Sequence, residues 1–331
     1  MQGRPLRILV SARALEVCGE RIRQVLGGRP AELLVSETAG PAPDADVGFV
    51  TRDVIGASAR NENAPSTQRF FDQLLASPNL KWLQVNAAGA DRVDYVPLRA
   101  RGVTMTSAAG ANGAVVAQTA LAGFLAISRR LPQLMQAQAK KDWKPLVVTG
   151  LPRDLQGQRA VIVGWGAIGQ KLGELLKALG LEVIVVRYSD VPAGGGVETA
   201  TLRALDSVLP RADWVFLACP LTNETRGLMD ARAFAALPKG AHVVNVARGE
   251  VVVEPDLVAA LQSGHLGGAF LDVFAHEPLD PASPLWAMDN VIVTPHSAGQ
   301  SDGIYARVVE IFLDNLALWL AGKPLLNVVR V

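Results

Sequence analysis

The strongest restriction on the fold comes from residues 160–187, which read AVIVGWGAIGQKLGELLKALGLEVIVVR. A short apolar run ends at Gly164, and Gly166 and Gly169 complete the spacing G-x-G-x-x-G. This spacing allows a tight turn after a strand, a close approach of the backbone to a pyrophosphate and close packing of the following helix. The segment therefore predicts a strand, a glycine turn and a helix that bind a dinucleotide.

A helix after the turn is indicated by apolar residues at helical spacing, which Gly180 brings to an end. These apolar residues are Ile168, Leu172, Leu175 and Leu179. The amino end of such a helix presents N–H groups and the positive end of the helix dipole, which together favour an anion. We expect Ala167 and Ile168, at this end, to join the three glycines in binding the cofactor.

The second strand of the unit, residues 183–186, leads to Arg187, about 20 residues beyond the glycines. An acid at this position accepts the ribose 2′-hydroxyl of NAD, whereas an arginine can bind a 2′-phosphate. Tyr188 and Ser189 follow and could add contacts to that phosphate. Arg187 therefore favours NADP(H) as the cofactor. The alternative is that Arg187 is an ordinary solvated charge at a strand end, and in that case NAD(H) remains possible.

Composition and charge narrow the class of protein. A chain of 331 residues, 50% of them hydrophobic, suits two domains with a core each. The net charge of +1 argues against nucleic acid or an anionic membrane as a partner. Cys18 and Cys219 are isolated, without metal-ligand or disulfide spacing, and no apolar run reaches the roughly 18 residues of a membrane span. We expect a soluble cytoplasmic protein that binds no metal.

Strands and helices alternate along both halves of the chain, which predicts an α/β fold of two Rossmann-like domains with doubly wound parallel sheets. The strand candidates are residues 6–10, 33–35, 47–50, 82–85, 214–218, 242–246, 269–273 and 291–294. A long helix is expected over 114–131, broken by Pro132, and residues 193–198 read as a loop. A last apolar-striped helix, near 301–321, should return to the first domain. The expected domains are 1–112 with 299–331, and 113–298.

Polar side chains follow three strands of the second sheet. Arg248 comes just after one strand, Asp272 and Glu277 lie at and beyond the next, and His296 follows the strand VIVT and Pro295. Each alone reads most simply as a solvated loop residue, but parallel strands bring all of them to one carboxyl edge. An arginine fork binds a carboxylate bidentately, and a carboxylate beside His296 would favour the imidazolium form. The set indicates a hydride-transfer site for a 2-oxo acid.

A resemblance to a known family extends over essentially the whole chain. It rests on five motifs that occur in the order GWGAIG, CPLTNETRGL, NVARGEVV, LDVFAHEPL and TPHSAG, and on LKWLQVNAAGADRVD in the first half. In order and spacing they resemble the D-isomer-specific 2-hydroxyacid dehydrogenase family. The resemblance implies a flavodoxin-like substrate-binding domain, a dinucleotide-binding domain, an active site in the cleft between them, and a homodimer.

The same resemblance implies roles for single residues. Arg248 would bind the substrate carboxylate and carbonyl, His296 would donate and accept the proton, and Glu277 would tune the histidine. Asp272 would contact the nicotinamide carboxamide. The amides of Ala88 and Gly89 would hold the substrate carboxylate, and further cofactor contacts would come from Cys219, Pro220, Thr225, Val246, Ala247, His296 and Ala298.

At several positions this sequence differs from the pattern that is typical of the family, and these differences bear on the cofactor and the substrate. Arg187 replaces the acid of NAD-using members, and Cys219 replaces a frequent histidine, whereas Glu277 is retained where formate-oxidising relatives carry glutamine. Gln118 stands where many members have an acid, and this exchange has no interpretation. Trp143 resembles a tryptophan that glyoxylate and hydroxypyruvate reductases send toward the partner's active site, with a packing role as the equal alternative.

The sequence therefore favours NADPH-preferring reduction of a small 2-oxo acid of the glyoxylate or hydroxypyruvate type to the 2-hydroxy acid. Two alternatives stay open at this point. One is an NAD-linked dehydrogenase of the phosphoglycerate type. The other is a non-catalytic, nucleotide-sensing protein like the corepressors that share this fold.

Overall fold

The computed structural model describes residues 4–36, 44–56, 63–90 and 92–329. Its strands are β1 Leu6–Val10, β2 Ala31–Val35, β3 Val47–Phe49, β4 Trp82–Gln84, β5 Thr104–Thr106, β6 Arg159–Val163, β7 Glu182–Arg187, β8 Glu198–Thr201, β9 Trp214–Leu217, β10 Ala241–Asn245, β11 Leu266–Leu271 and β12 Val291–Val293. Its α-helices are α1 Ala12–Leu26, α2 Arg52–Ile55, α3 Pro65–Leu75, α4 Tyr95–Ala100, α5 Gly113–Ser128, α6 Leu131–Ala139, α7 Leu146–Thr149, α8 Ala167–Ala178, α9 Leu205–Val208, α10 Ala231–Ala236, α11 Glu254–Gln262 and α12 Ile304–Leu320. Short 3₁₀ helices lie at Leu202–Ala204, Leu209–Arg211, Gly249–Val251 and Pro284–Ala287.

The chain divides into two compact units. The first unit comprises residues 1–112 and 301–331, and the second comprises residues 113–300. The roles expected for them, substrate binding and dinucleotide binding, stay predictions at this point.

The first unit contains a five-stranded parallel sheet in the order β2-β1-β3-β4-β5. Ser11 caps α1 by accepting a hydrogen bond from the Ala14 amide at 3.0 Å, which ends β1 and starts the helix. Helix α12 packs against α1, and its Phe312 ring stacks on Phe49 at 4.0 Å and on Trp82 at 5.5 Å. The last helix therefore completes the aromatic core of the first unit.

The second unit contains a seven-stranded parallel sheet in the order β12-β11-β10-β9-β6-β7-β8. Residues on both faces of β6 are buried, because apolar clusters cover the two sides of the sheet. Strand order reverses between β6 and β9, the place where such sheets bind ligands. The prediction of two α/β units with doubly wound parallel sheets is confirmed.

Two local predictions are wrong. Residues 114–131 do not form one helix ended by Pro132. Instead α5 ends at Ser128, Arg130 adopts a left-handed φ of 55°, and Pro132 lies in the first turn of α6, where its missing N–H has no cost. The loop expected over residues 193–198 ends before residue 198, because β8 begins at Glu198 and pairs with β7.

Across the described ranges, no helix by itself is long and apolar enough to cross a membrane. Only α5 and α6 taken as a pair, with a 70° bend between them, reach that length and composition.

Candidate active site

The glycine turn after β6 is shaped by close backbone contacts. Gly164 has a φ of 103°, and a Cβ there would lie 2.6 Å from the Ala218 carbonyl oxygen. A Cβ at Gly169 would lie 2.0 Å from the Gly164 carbonyl oxygen. Gly166, the N-cap of α8, has no atom of the described chain within 4 Å of its Cβ position. The turn therefore leaves open space at the helix amino end, which fits the pyrophosphate of a dinucleotide.

Replacing Gly166 by alanine should separate folding from cofactor binding. Its φ of −84° suits alanine, so the free energy of unfolding of the free protein should change by no more than about 1 kcal/mol. The added methyl group would occupy the open space, and we expect NADPH affinity to fall by about tenfold or more. Fluorescence titration with NADPH and thermal unfolding without cofactor measure the two effects.

Gly169→Ala is the matched comparison, because its methyl group clashes within the turn itself and should lower the melting temperature of the free protein. NADPH binding by Gly166→Ala at wild-type strength would show that the space is not the cofactor site.

Arg187 ends β7, the strand next to β6, and therefore lies at the same sheet edge as the glycine turn. Its Nη1 donates a hydrogen bond to the Val191 carbonyl oxygen at 3.2 Å. Tyr188 is exposed and Ser189 is half-buried beside it. The strand end thus presents a guanidinium and two hydroxyl-bearing side chains toward solvent.

Glu277 and His296 form a hydrogen-bonded pair, with 2.8 Å between Glu277 Oε2 and His296 Nδ1. Glu277 Oε1 accepts a further hydrogen bond from the Phe274 amide at 3.1 Å. Burial alone would raise the pKa of the Glu277 carboxyl, but its hydrogen bonds with His296 and the Phe274 amide and the positive charges of His296 and Arg248 bring that pKa below its usual value. Glu277 is therefore a carboxylate at neutral pH, and it leaves Nε2 of His296 for proton exchange.

The backbone of His296 is held in a left-handed conformation, with a φ of 49°. Asp272, which is only 2% exposed, stabilises this turn through its carboxylate. Its Oδ1 accepts hydrogen bonds from Thr294 Oγ1 at 2.6 Å and from the Ser297 amide at 2.9 Å. Its Oδ2 accepts a hydrogen bond from the Ala298 amide at 3.0 Å. The Asp272 carbonyl oxygen accepts from the His296 amide at 2.8 Å. Asp272 thus positions His296, a role that sequence reasoning missed, and its expected contact with the nicotinamide stays a prediction.

Asn245 shapes the loop that carries Arg248. It is buried, its Nδ2 donates to the Arg248 carbonyl oxygen at 3.1 Å, and its Oδ1 accepts from the Ala247 amide at 3.0 Å. Nη1 of Arg248 donates to the Ala247 carbonyl oxygen at 2.7 Å. Sequence reasoning missed Asn245, although its place at the end of β10, three residues before Arg248, was a usable signal.

Gly249 lets the Arg248 loop lie directly on the segment that leads to Glu277. A Cβ at Gly249 would lie 1.8 Å from the carbonyl carbon of Phe274 and 2.2 Å from the Ala275 amide nitrogen. Only glycine permits this approach. The two loops therefore reach their observed positions together, and Gly249 is a second residue that sequence reasoning missed.

The remaining predicted cofactor residues line the ends of β9, β10 and β12. Burial raises the pKa of the Cys219 thiol to about 11, so the thiol is inert at neutral pH. Thr225 is buried and donates its hydroxyl to the Pro220 carbonyl oxygen at 2.7 Å. Val246, Ala247 and Ala298 are buried. In the first unit, the loop after β4 carries exposed Ala88 and half-buried Gly89.

Among the described residues, no group of three or more histidine, cysteine, aspartate or glutamate side chains could hold a metal ion.

Comparisons with known proteins show the family to which the chain is similar. Residues 121–298 match the family model of the D-isomer specific 2-hydroxyacid dehydrogenase, NAD binding domain. A glyoxylate reductase from Thermofilum pendens is 33% identical over 256 residues, which cover 75% of this chain and 74% of that protein. A D-3-phosphoglycerate dehydrogenase from Mycobacterium bovis is 35% identical over 258 residues, 78% of this chain but 48% of that protein, so the chain spans about half the length of this relative.

A solved structure shows the same architecture. An NADPH-dependent glyoxylate/hydroxypyruvate reductase from Sinorhizobium meliloti, crystallised with NADP and sulfate, superimposes with a TM-score of 0.76 at 29% identity, covering 98% of each chain.

Proposed function

Because the chain belongs to the D-isomer-specific 2-hydroxyacid dehydrogenase family of NAD(P)-dependent oxidoreductases, we propose that it reduces a small 2-oxo acid of the glyoxylate or hydroxypyruvate type, with NADPH preferred over NADH. The observation that carries the proposal is the 2.8 Å pair of Glu277 and His296, at the same sheet edge as the Arg248 loop and the glycine turn. The Thermofilum and Sinorhizobium proteins support the choice of substrate.

The positions of these residues suit separate roles in the proposed reaction. The nicotinamide cofactor, when bound at the glycine turn, supplies the hydride. Arg248 binds the substrate carboxylate and orients the carbonyl group. Protonated His296 gives its Nε2 proton to the carbonyl oxygen, and the Glu277 carboxylate stabilises the imidazolium before the transfer. We propose the amides of Ala88 and Gly89, in the first unit, as further contacts for the substrate carboxylate.

Steady-state kinetics with a panel of 2-oxo acids, each assayed with NADPH and with NADH, test this proposal. We expect the highest kcat/KM for glyoxylate or hydroxypyruvate with NADPH. Equal or better efficiency with NADH would remove the cofactor preference, and turnover confined to larger 2-oxo acids would remove the substrate assignment.

Arg187→Asp should move the cofactor preference toward NADH. The substitution removes a charge-assisted contact with the 2′-phosphate and introduces repulsion, so the ratio of kcat/KM for NADPH to that for NADH should fall by about 10². Arg232→Asp is the matched control, because Arg232 is also an exposed arginine and pairs with Asp206 rather than lying at the glycine-turn edge. An unchanged ratio in Arg187→Asp would show that Arg187 is a solvated charge.

NAD-linked oxidation of a phosphoglycerate is the second candidate, supported by the 35% identity with the mycobacterial enzyme. The two candidates differ in the charge of the substrate. Comparison of 3-phosphohydroxypyruvate with hydroxypyruvate in the same assay distinguishes them, because the second candidate requires the phosphorylated acid to be reduced more efficiently.

We also propose that a second copy of the chain covers an apolar surface on the second unit. Trp143 is 95% exposed. The other exposed apolar residues of this surface are Leu131, Met135, Val147, Val148 and Leu151. Monomeric proteins rarely leave such a patch in water, and an exposed tryptophan is a frequent centre of an interface.

Trp143→Ala should weaken a homodimer. Loss of a central tryptophan typically costs about 2 kcal/mol or more, so the dimer dissociation constant should rise by about 30-fold. Light scattering across a dilution series measures the dissociation constant, with Val17→Ala, at an exposed apolar residue of α1 in the first unit, as the control. A wild-type chain that is monomeric at all concentrations would contradict the proposal.

A further inference from the structure

The backbone amides proposed above as carboxylate contacts lie on a short loop of the first unit. We call residues 85–90, which follow β4, the β4 loop. The Val85 amide donates to the Thr106 carbonyl oxygen at 2.9 Å. The Ala87 carbonyl oxygen accepts a hydrogen bond from the Ala108 amide at 2.8 Å. The first half of the loop is therefore fixed to β5 and to the residues that follow it.

The two amides themselves are not used by the fold. Within the described ranges, the amides of Ala88 and Gly89 donate no hydrogen bond to the chain, and Ala88 is exposed. Two N–H groups bind a carboxylate well only when the backbone holds both in the right orientation before the ligand arrives. The second half of the loop therefore needs a support of its own.

Arg99, in the last turn of α4, supplies this support. Its Nη2 donates to the Ala90 carbonyl oxygen at 2.6 Å. Side chains of a helix tilt toward its amino end, so Arg99 reaches back along α4 to the loop that precedes the helix. A hydrogen bond from a guanidinium is stronger than one between neutral groups. The carbonyl group next to Gly89 along the chain, that of Ala90, is thus held by a charged donor.

The rest of the Arg99 guanidinium is not solvated in the usual way. Its Nε is buried and finds no hydrogen-bond partner in the part of the chain that the structure describes. A buried donor without an acceptor is costly, and most arginine side chains avoid this cost by extending into water. The side chain adopts its position in spite of this cost, and the hydrogen bond to Ala90 offsets it.

The segment beyond the loop is anchored independently of Arg99. Arg92 Nε donates to Asp94 Oδ2 at 3.1 Å, and Arg92 Nη2 donates to Asn63 Oδ1. Asn63 Nδ2 completes the ring by donating to Asp94 Oδ1 at 2.7 Å. The Arg92 and Asp94 side chains are only 11% and 10% exposed. Loss of the Arg99 side chain should therefore loosen the second half of the β4 loop and leave the rest of the unit folded.

We propose that Arg99 is a positioning residue for the binding of the 2-oxo acid: through the Ala90 carbonyl group it orients the Ala88 and Gly89 amides toward the substrate carboxylate. The inference rests on the function proposed above. Arg99 acts on the binding of the acid and takes no part in hydride or proton transfer. Loss of an interaction that is equally strong in the ground state and the transition state raises KM and leaves kcat unchanged.

Arg99→Met tests the proposal, because it keeps a long side chain and removes the donor. We expect KM for the best 2-oxo acid to rise by about tenfold, while kcat and the NADPH dissociation constant stay within about twofold of wild type. Calorimetric titration of the protein–NADPH complex with oxamate, an unreactive analogue that keeps the carboxylate and the 2-oxo group, should show the same loss of affinity. Arg99→Lys, whose ammonium group can still donate to the carbonyl oxygen, should restore most of it.

Arg101→Met is the matched control. Arg101 is the C-cap residue of the same helix, and its guanidinium also donates to backbone carbonyl groups, those of Leu75 and Ser77. Both of these residues precede β4 and lie outside the β4 loop. Arg101→Met should therefore lower the melting temperature about as much as Arg99→Met and leave KM and oxamate affinity unchanged.

Arg99→Gln is a second variant in case the apolar methionine destabilises the unit. Glutamine is too short to reach the Ala90 carbonyl oxygen from the same Cα position, so KM should rise as in Arg99→Met.

Four results would overturn the inference: an unchanged KM in both Arg99→Met and Arg99→Gln, a fall in kcat without a rise in KM, an equal rise in KM in Arg101→Met, or no recovery of oxamate affinity in Arg99→Lys. Failure of the proposed function appears already in the wild-type protein, as no turnover of any 2-oxo acid, and would overturn both proposals. Failure of this inference alone appears only when the variants are compared with an active wild-type protein.

Discussion

His296→Ala is expected to lower turnover of the best 2-oxo acid by about 10² or more, because the substrate oxygen loses its proton donor. Nδ1 of this imidazole lies 2.8 Å from the Glu277 carboxylate, so the substitution also removes the side-chain partner of that half-buried carboxylate. NADPH affinity should change little, since the glycine turn and Arg187 lie on other loops. Steady-state kcat and fluorescence titration with NADPH measure the two quantities.

His265→Ala is the matched control for this experiment. His265 also lies in the second unit, where its Nε2 lies 2.9 Å from the Phe234 carbonyl oxygen near the amino edge of the sheet. Its removal should affect stability slightly and turnover not at all. Near-normal turnover in His296→Ala would remove His296 from the role of proton donor.

Gly249→Ala is expected to reduce kcat/KM by about 10² although it touches no reacting atom. The new Cβ would begin 1.8 Å from the Phe274 carbonyl carbon, so the Arg248 loop and the segment leading to Glu277 must move apart. A displacement of about 1 Å in a catalytic group commonly costs about 10² in rate. The same strain should lower the free energy of unfolding by several kcal/mol, on the order of the largest single-residue effects. Enzyme kinetics and chemical unfolding give both values.

Gly303→Ala provides the comparison for Gly249→Ala. A Cβ at Gly303 would meet only the far end of the flexible Arg307 side chain, which can move away. Both activity and stability should therefore stay close to wild type in that variant. If Gly249→Ala behaves like Gly303→Ala, the close contact between the two loops is not required for the site.

Signals that are local in sequence predicted most of the fold. The strand, turn and helix from β6 to α8 follow from glycines and apolar residues only a few positions apart. The break between α5 and α6 was misplaced because proline ends one helix and begins another equally well, and the left-handed residue is Arg130, a residue type that gives no such signal. Strand β8 reads ETAT and lacks an apolar run, so only its pairing with β7 defines it.

The residues of the candidate site could likewise be predicted from the sequence only in part. Arg248, Glu277 and His296 could be named because each follows a strand of one parallel sheet, and the structure brings Glu277 and His296 together. Asn245 and the carboxylate of Asp272 act through hydrogen bonds between loops or across a turn. Such contacts depend on three-dimensional positions that strand order alone does not supply.

The split first unit has a consequence for the order in which the protein forms on the ribosome. Residues 113–300 are contiguous, so the second unit can fold as soon as they have emerged. Phe49 and Trp82 are synthesised much earlier, but their rings are covered only after Phe312 of α12 has been synthesised. The half of the molecule that is synthesised first is thus the one whose core is finished last, and during that interval its aromatic face is a target for chaperones.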